Sequence, residues 1–245
     1  MKNKISFMTV AATLLCFAQS APAITLDGAF GLDEWAGNYS ADDGVGSGGF
    51  VGPGYGGQAF DVEYLGLRIK NGTVYFGLQT GFNLADGVRQ GGIDYKPGDF
   101  AIDTNNDGTY DYAIDFAISS GNPSYSLYSV SAWQNSMYAQ HHVADPFQYK
   151  TGTLIPTAFS GDYGSGVFAS NMNGGTSYVL EGSFGLNALA AYSGGPVTLH
   201  WTMSCGNDYL NVTTTPTSVP EPSSLLLLGS GLTGAALWSW RRRKA

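Results

Sequence analysis

The run Asp103-Thr-Asn105-Asn-Asp107-Gly108-Thr109-Tyr-Asp111 is where residue types and spacing point most clearly to chemistry. Short oxygen-bearing side chains recur at alternate positions, and in a tight loop such a spacing aims them at one point. A hard cation such as Ca²⁺ needs that arrangement. Gly108 permits the sharp turn, and Thr109 offers a carbonyl oxygen. Asp103, Asn105, Asp107, Thr109 and Asp111 are therefore the candidate ligands, with Asp99 and Asp115 as outer ones. Carboxylates packed this closely repel one another without a cation. The competing reading is an acidic, Asx-rich turn that holds no ion. In either case the role is structural.

Other reactive side chains offer less. His141 and His142 are adjacent, so on a strand their rings point to opposite faces and do not converge on a metal. His200 falls opposite Leu199 and Trp201 and reads as a surface or groove residue. Cys205 has no partner histidine on its own face and reads as a buried free thiol. Glu34, Glu63 and Glu181 are the only glutamates before the C-terminal segment, and nothing in the sequence pairs two of them for glycoside hydrolysis. No phosphate loop, nucleophile elbow or zinc motif is present. Tyr125, Tyr128, Trp133, Tyr138 and Tyr149 crowd a Ser/Asn-rich region, where exposed rings would stack on sugars; for any single ring, ordinary packing in the core or at an edge of the sandwich is the favoured reading.

The elements that must position these residues are strands. Phe100 to Ile102 and Tyr110 to Ile118 alternate apolar and polar residues, which places the acidic run at the end of a hairpin. Leu65, Leu67 and Ile69 alternate, as do Val74, Phe76 and Leu78. Asn71-Gly72 between them suits a two-residue type I′ turn. In that register Ile69 faces Val74, Leu67 faces Phe76 and Leu65 faces Leu78. Tyr178 to Phe184 alternates more weakly, and Val197 to Met203 clearly. Residues 186–192 allow one short helical turn. Gly44 to Gly57 reads as a flexible, Gly-rich loop. No 3.6-residue period is evident in the body, so the fold class is all-β, a single jelly-roll-like β-sandwich. The acidic loop then resembles the calcium hairpin loops of extracellular β-proteins. It departs from an EF-hand, because Ile114 stands where the twelfth-position glutamate would be and Asp111 must replace it.

The ends of the chain carry addresses. Lys2 and Lys4 precede the apolar run Ile5 to Ala18, and Ala21-Pro22-Ala23 supplies small residues for cleavage. Residues 1–23 read as a secretory signal peptide. At the other end, Val219-Pro220-Glu221-Pro222 is followed by an uncharged apolar span, 223–240, and by Arg241, Arg242, Arg243 and Lys244. Such a span is just long enough to cross a thin bilayer, and the basic cluster keeps its end in the cytoplasm. This order of parts resembles the PEP-CTERM sorting tail of exosortase substrates. The resemblance implies passage through the inner membrane and transient anchoring by the tail. Recognition and cleavage by an exosortase would then deliver the body to the cell surface or the extracellular matrix.

Between the addresses lie an ectodomain, 24–212, and a Thr/Pro/Ser spacer, 213–218. All 19 acidic residues but only 5 of the 11 basic ones fall between Ile24 and Pro222, giving that stretch a formal charge of −14. Such a surface repels nucleic acid and suits divalent cations or neutral glycans. The sequence reading is thus an exported, non-catalytic surface or matrix protein with a calcium-stabilised sandwich. The alternatives are a carbohydrate-binding module for exopolysaccharide and, behind it, a secreted hydrolase. Leu26-Asp27-Gly28, Glu34 to Gly37 and Trp201 to Asp208 resemble, in scattered fashion, family-nine carbohydrate-binding sandwiches, which supports the sandwich fold more than any ligand.

Overall fold

The computed structural model describes residues 23–216. The expected signal peptide up to its cleavage site, the sorting tail and the span 223–240 lie outside the described residues. Among the described residues no helix is long and apolar enough to cross a membrane.

The strands in chain order are β1 (Tyr39–Ala41), β2 (Val62–Lys70), β3 (Thr73–Thr80), β4 (Val88–Gln90), β5 (Ile93–Tyr95), β6 (Phe100–Asp103) and β7 (Tyr112–Ser119). After them come β8 (Asn122–Gln134), β9 (Gln148–Ile155), β10 (Phe159–Gly166), β11 (Ser177–Gly185), β12 (Val197–Thr202) and β13 (Tyr209–Thr214). They form a five-stranded sheet, β1-β2-β3-β11-β10, a six-stranded sheet, β13-β12-β6-β7-β8-β9, and the small β4-β5 hairpin. Among the described residues the helical content is confined to short 3₁₀ turns.

The β2–β3 hairpin has the register that its sequence dictates: Ile69 pairs with Val74, Leu67 with Phe76 and Leu65 with Leu78. Asn71 and Gly72 take φ of 52° and 76°, as a type I′ turn demands. The main core lies between the two large sheets. Leu67, Phe76, Leu78 and Leu180 from one meet Phe100, Ile102, Ile114, Leu199 and Trp201 from the other.

Residues 24–38 add a third layer that the alternation does not announce. Phe30 and Trp35 pack with Tyr64 and Val179 on the outer face of the five-stranded sheet. Strands β2 and β11 are therefore covered on both faces, which explains the weak alternation of Tyr178 to Phe184. Glu181 fastens this layer: its Oε2 accepts the amides of Asp27 and Gly28 at 3.2 and 3.1 Å. Trp35 lies against the sheet only because Gly66 and Gly77 lack side chains; a Cβ there would sit 2.5 and 2.4 Å from its ring. Gly77→Ala is expected to cost roughly 1–3 kcal/mol by overpacking, read as a lower urea midpoint with an unchanged m-value.

Three expectations need correction. The Gly-rich stretch 44–57 is folded: it makes two 3₁₀ turns, pairs Phe50 with Tyr55 and Pro53 with Asp208, and buries Val51. Its glycines supply positive φ for successive tight turns rather than slack. Strand β7 begins at Tyr112 rather than Tyr110, because the acidic loop runs through Asp111. Thr213 and Thr214, the first residues of the expected spacer, still pair with Thr198 and Val197.

Candidate functional site

A groove of about 600 Å³ opens at one end of the sandwich. Four segments build it. The 50–57 stretch contributes Pro53 and Tyr55, and the β4–β5 hairpin brings Gln90, Ile93 and Tyr95. The 3₁₀ turn Ala139–Ala144 brings Gln140 and His141 beside Tyr138, and the turn before β13 brings Asn207. Tyr55 is 64% exposed and so keeps a ring face free for a ligand. Tyr95 and Tyr138 share a hydroxyl hydrogen bond of 2.9 Å. That bond and burial push the Tyr95 hydroxyl up to about 12. The His141 ring meets the Cys205 carbonyl at 3.0 Å, and the Asn207 amide donates to the Tyr55 carbonyl. None of the lining residues is Asp, Glu, Lys or Arg.

The groove sits at the far end of the sandwich from the point where the described chain stops. Asn207 precedes β13 and Thr214 ends it, seven residues or about 23 Å away.

The acidic loop lies at that other end. It joins β6 to β7 as expected, and it is wound by its own side chains. Asp103 is buried, and its Oδ1 accepts the amides of Asn105 and Asn106 at 3.1 and 2.6 Å while its Oδ2 accepts that of Gly108 at 2.8 Å. Asn105 Oδ1 takes the amide of Asp107 at 3.0 Å, and Asp107 Oδ1 takes that of Thr109 at 2.8 Å. Asp111 turns to the neck of the loop, accepting the Thr104 amide and hydroxyl at 2.9 and 2.5 Å. Thr198 then bridges the loop to β13, meeting Asn106 Oδ1 at 2.9 Å and the Thr213 hydroxyl at 2.7 Å. Among the described residues no three His, Cys, Asp or Glu side chains converge as a metal shell.

Asp99 and Asp115 are not outer ligands of this loop. They lie just beyond the Phe100–Ile114 pair, at the opposite end of the β6–β7 ladder, and line a smaller cleft with Asp86 and Lys96. Burial and the neighbouring Asp115 raise Asp99 to about 7, against the 2.8 Å hydrogen bond it accepts from the Tyr149 amide.

The histidine expectations also change. His141 and His142 lie in a 3₁₀ turn rather than a strand, and only His141 faces the groove. His200 is buried, because the 139–147 segment folds over the outer face of β12. Its ring nitrogens meet Asn211 Oδ1 at 2.7 Å and the Ala144 and Pro146 carbonyls at 3.2 and 3.0 Å. Burial holds its pKa below the ordinary value, so its share of stability is present above pH 6.5 and is lost as pH falls. Cys205 is a buried free thiol, as read. Of the five clustered aromatics only Tyr138 reaches the groove. Tyr125 stacks on Phe159, Tyr128 stacks on Tyr149 at 4.3 Å, and the Trp133 indole donates to the Tyr110 carbonyl.

Fold and groove together define an antiparallel β-sandwich with an aromatic, uncharged concavity remote from its C-terminal end. Residues 218–244 carry a PEP-CTERM protein-sorting motif, the address of exported, exosortase-targeted proteins. No curated protein and no solved structure matches the chain.

Proposed function

We propose that this protein is an exported, non-catalytic surface module that binds a neutral glycan in the Tyr55–Tyr138 groove. The observation that carries the reading is the lining itself. Tyr55, Tyr95 and Tyr138 offer ring faces for sugar rings, and Gln90, Gln140 and Asn207 offer amides for hydroxyls. In a body of charge −14, a groove without a single ionic side chain favours a neutral ligand. No carboxylate pair lies in it to support hydrolysis. Placement supports the reading too: a body held by its C-terminus presents this end outward, toward exopolysaccharide in the matrix. The test is co-sedimentation of the full-length chain, in detergent, with neutral and with uronate-rich polysaccharides. Saturable binding to the neutral polymer alone is expected; equal binding to both, or to neither, contradicts it.

The Asp103–Asp111 loop fits a bracing role in the same module. Its hydrogen bonds already curl it around Asp103, and its free lone pairs are oxygens, which suit Ca²⁺. In this reading the ion ties β6–β7 to β13 through Asn106 and Thr198. Chelation is expected to lower the melting temperature by several degrees, and Asp107→Ala to shrink that difference. A melting curve blind to both changes rules the brace out.

A further inference from the structure

A second cluster of acids lies apart from both the groove lining and the acidic loop. Asp61, Glu63 and Asp208 are buried, and Asp42 stands beside them. Glu63 is fully engaged by neutral donors, taking Gln58 and Ser177 on Oε1 at 2.5 and 2.7 Å and Gln79 on Oε2 at 2.5 Å. Asp208 accepts the Val62 and Tyr209 amides at 2.6 and 2.8 Å. Asp61 differs. Its Oδ2 accepts the Asn173 amide at 2.5 Å, while its Oδ1 is buried without any partner. Gln58 Oε1 is likewise buried and unpartnered.

These two oxygens come from one 3₁₀ turn, Gly57–Phe60, closed by the Asp61 amide on the Gln58 carbonyl at 3.3 Å. Residues three apart on such a turn are eclipsed, so Gln58 and Asp61 lie one above the other on the same edge. With Asp61 ionised both orphans are acceptors, and two acceptors cannot satisfy each other. The charges that act on Asp61 are Glu63, Asp42 and Asp43, all negative, and those on Asp208 are Asp42 and Asp61. Buried acceptors in an all-negative neighbourhood call for a positive charge, because an uncompensated buried carboxylate costs several kcal/mol.

We infer that Asp61 Oδ1 and Gln58 Oε1 are oxygen ligands of a buried divalent cation of the Ca²⁺ type, with Asp42 and Asp208 supplying charge around it. Because no three carboxylates converge here, the shell is completed by neutral oxygens, which Ca²⁺ accepts from amides, main-chain carbonyls and water. The cation would tie together segments distant in sequence. Asp42 precedes the Gly-rich stretch, its amide donating to the Glu63 carbonyl at 3.2 Å. Asn173 belongs to the loop before β11 and accepts the Val45 amide at 3.0 Å.

The test is calorimetric titration of the EDTA-stripped full-length chain, in detergent at pH 8, with CaCl₂. Asp61→Asn is expected to bind one equivalent fewer than the wild type, whereas Asp107→Ala keeps that equivalent whether or not the acidic loop binds its own. Asp42→Asn removes a charge beside the shell, keeps an oxygen for the Gly44 amide and is expected to weaken this equivalent about tenfold, which keeps the test open if Asp61→Asn fails to fold. Unchanged stoichiometry in Asp61→Asn, or an Asp42→Asn variant that binds as tightly as the wild type, overturns the site and leaves a cluster held by protons or water.

Discussion

Replacing Tyr55 and Tyr138 together by alanine is expected to weaken glycan binding about a hundredfold while leaving the fold intact. Each ring presents an apolar face to a sugar, and losing one such contact costs about 1.4 kcal/mol, a factor of ten in Kd. Tyr55 projects from a turn and is mostly exposed, so its removal takes little packing with it. Among the described residues its ring neighbour is Phe50, edge-on at 5.4 Å, which remains partly exposed itself. Tyr138 is better embedded, through the Tyr95 hydroxyl and an edge contact with His141. Tyr138→Phe is therefore the control: it keeps the ring, loses the hydroxyl bond and should bind within a few fold of wild type. Titration with one neutral oligosaccharide reads both variants against the wild type.

The second large effect is on stability against pH. In chelator the body should become less stable as pH rises from 5 to 9, the reverse of a protein whose acids are salt-bridged. Burial raises Asp61 from 3.8 to about 7, Glu181 from 4.5 to about 8 and Asp208 from 3.8 to about 9. The unfolded chain releases these protons near pH 4, whereas the folded one holds them until pH 7–9. Between those limits the folded state binds more protons, so each such group removes on the order of 1.4 kcal/mol of stability per pH unit. The loss ends once pH passes the folded value. Melting temperature in EDTA from pH 5 to pH 9 checks the sign, and a flat or rising profile contradicts the buried-acid account. Asp208→Asn is expected to flatten the upper part of the profile, because an amide carries no charge to bury; its single oxygen serves only one of the Val62 and Tyr209 N–H groups, so the flatter profile starts from a lower melting temperature.

The fold was legible where one face of a strand is buried and the other is wet. The β2–β3 register followed from Asn71-Gly72 and six aliphatic positions, because a slip of one residue would turn them all to the other face. The hairpin setting of the acidic loop followed from alternation on both sides. What was hidden shares one cause: coverage by a distant segment. The 24–38 layer buries the outer faces of β2 and β11 and erases their alternation, and the 139–147 segment buries His200 on a face that parity alone assigns to solvent.

The groove was missed for a related reason. Its lining comes from four separate segments, and the one that carries Tyr55 reads as slack because of its glycines. A signal was there: Phe50 and Tyr55 stand as lone aromatics in a stretch that otherwise avoids large apolar residues, and an exposed ring costs solubility unless it has something to touch. The aromatic cluster that did attract notice is mostly internal packing, as the Tyr128–Tyr149 and Tyr125–Phe159 stacks show. The buried acids left no sequence signal, since Asp42, Asp61 and Asp208 have no common spacing and meet only through the fold.

The measurement that bears most directly on the central claim is an amide chemical-shift map of the full-length chain in detergent, titrated with a neutral oligosaccharide. The account predicts that the largest perturbations fall on Tyr55, Gln90, Tyr95, Tyr138 and Asn207. Perturbations gathered instead on the Tyr128–Tyr149 face of β8 and β9, or spread without a focus, would contradict it.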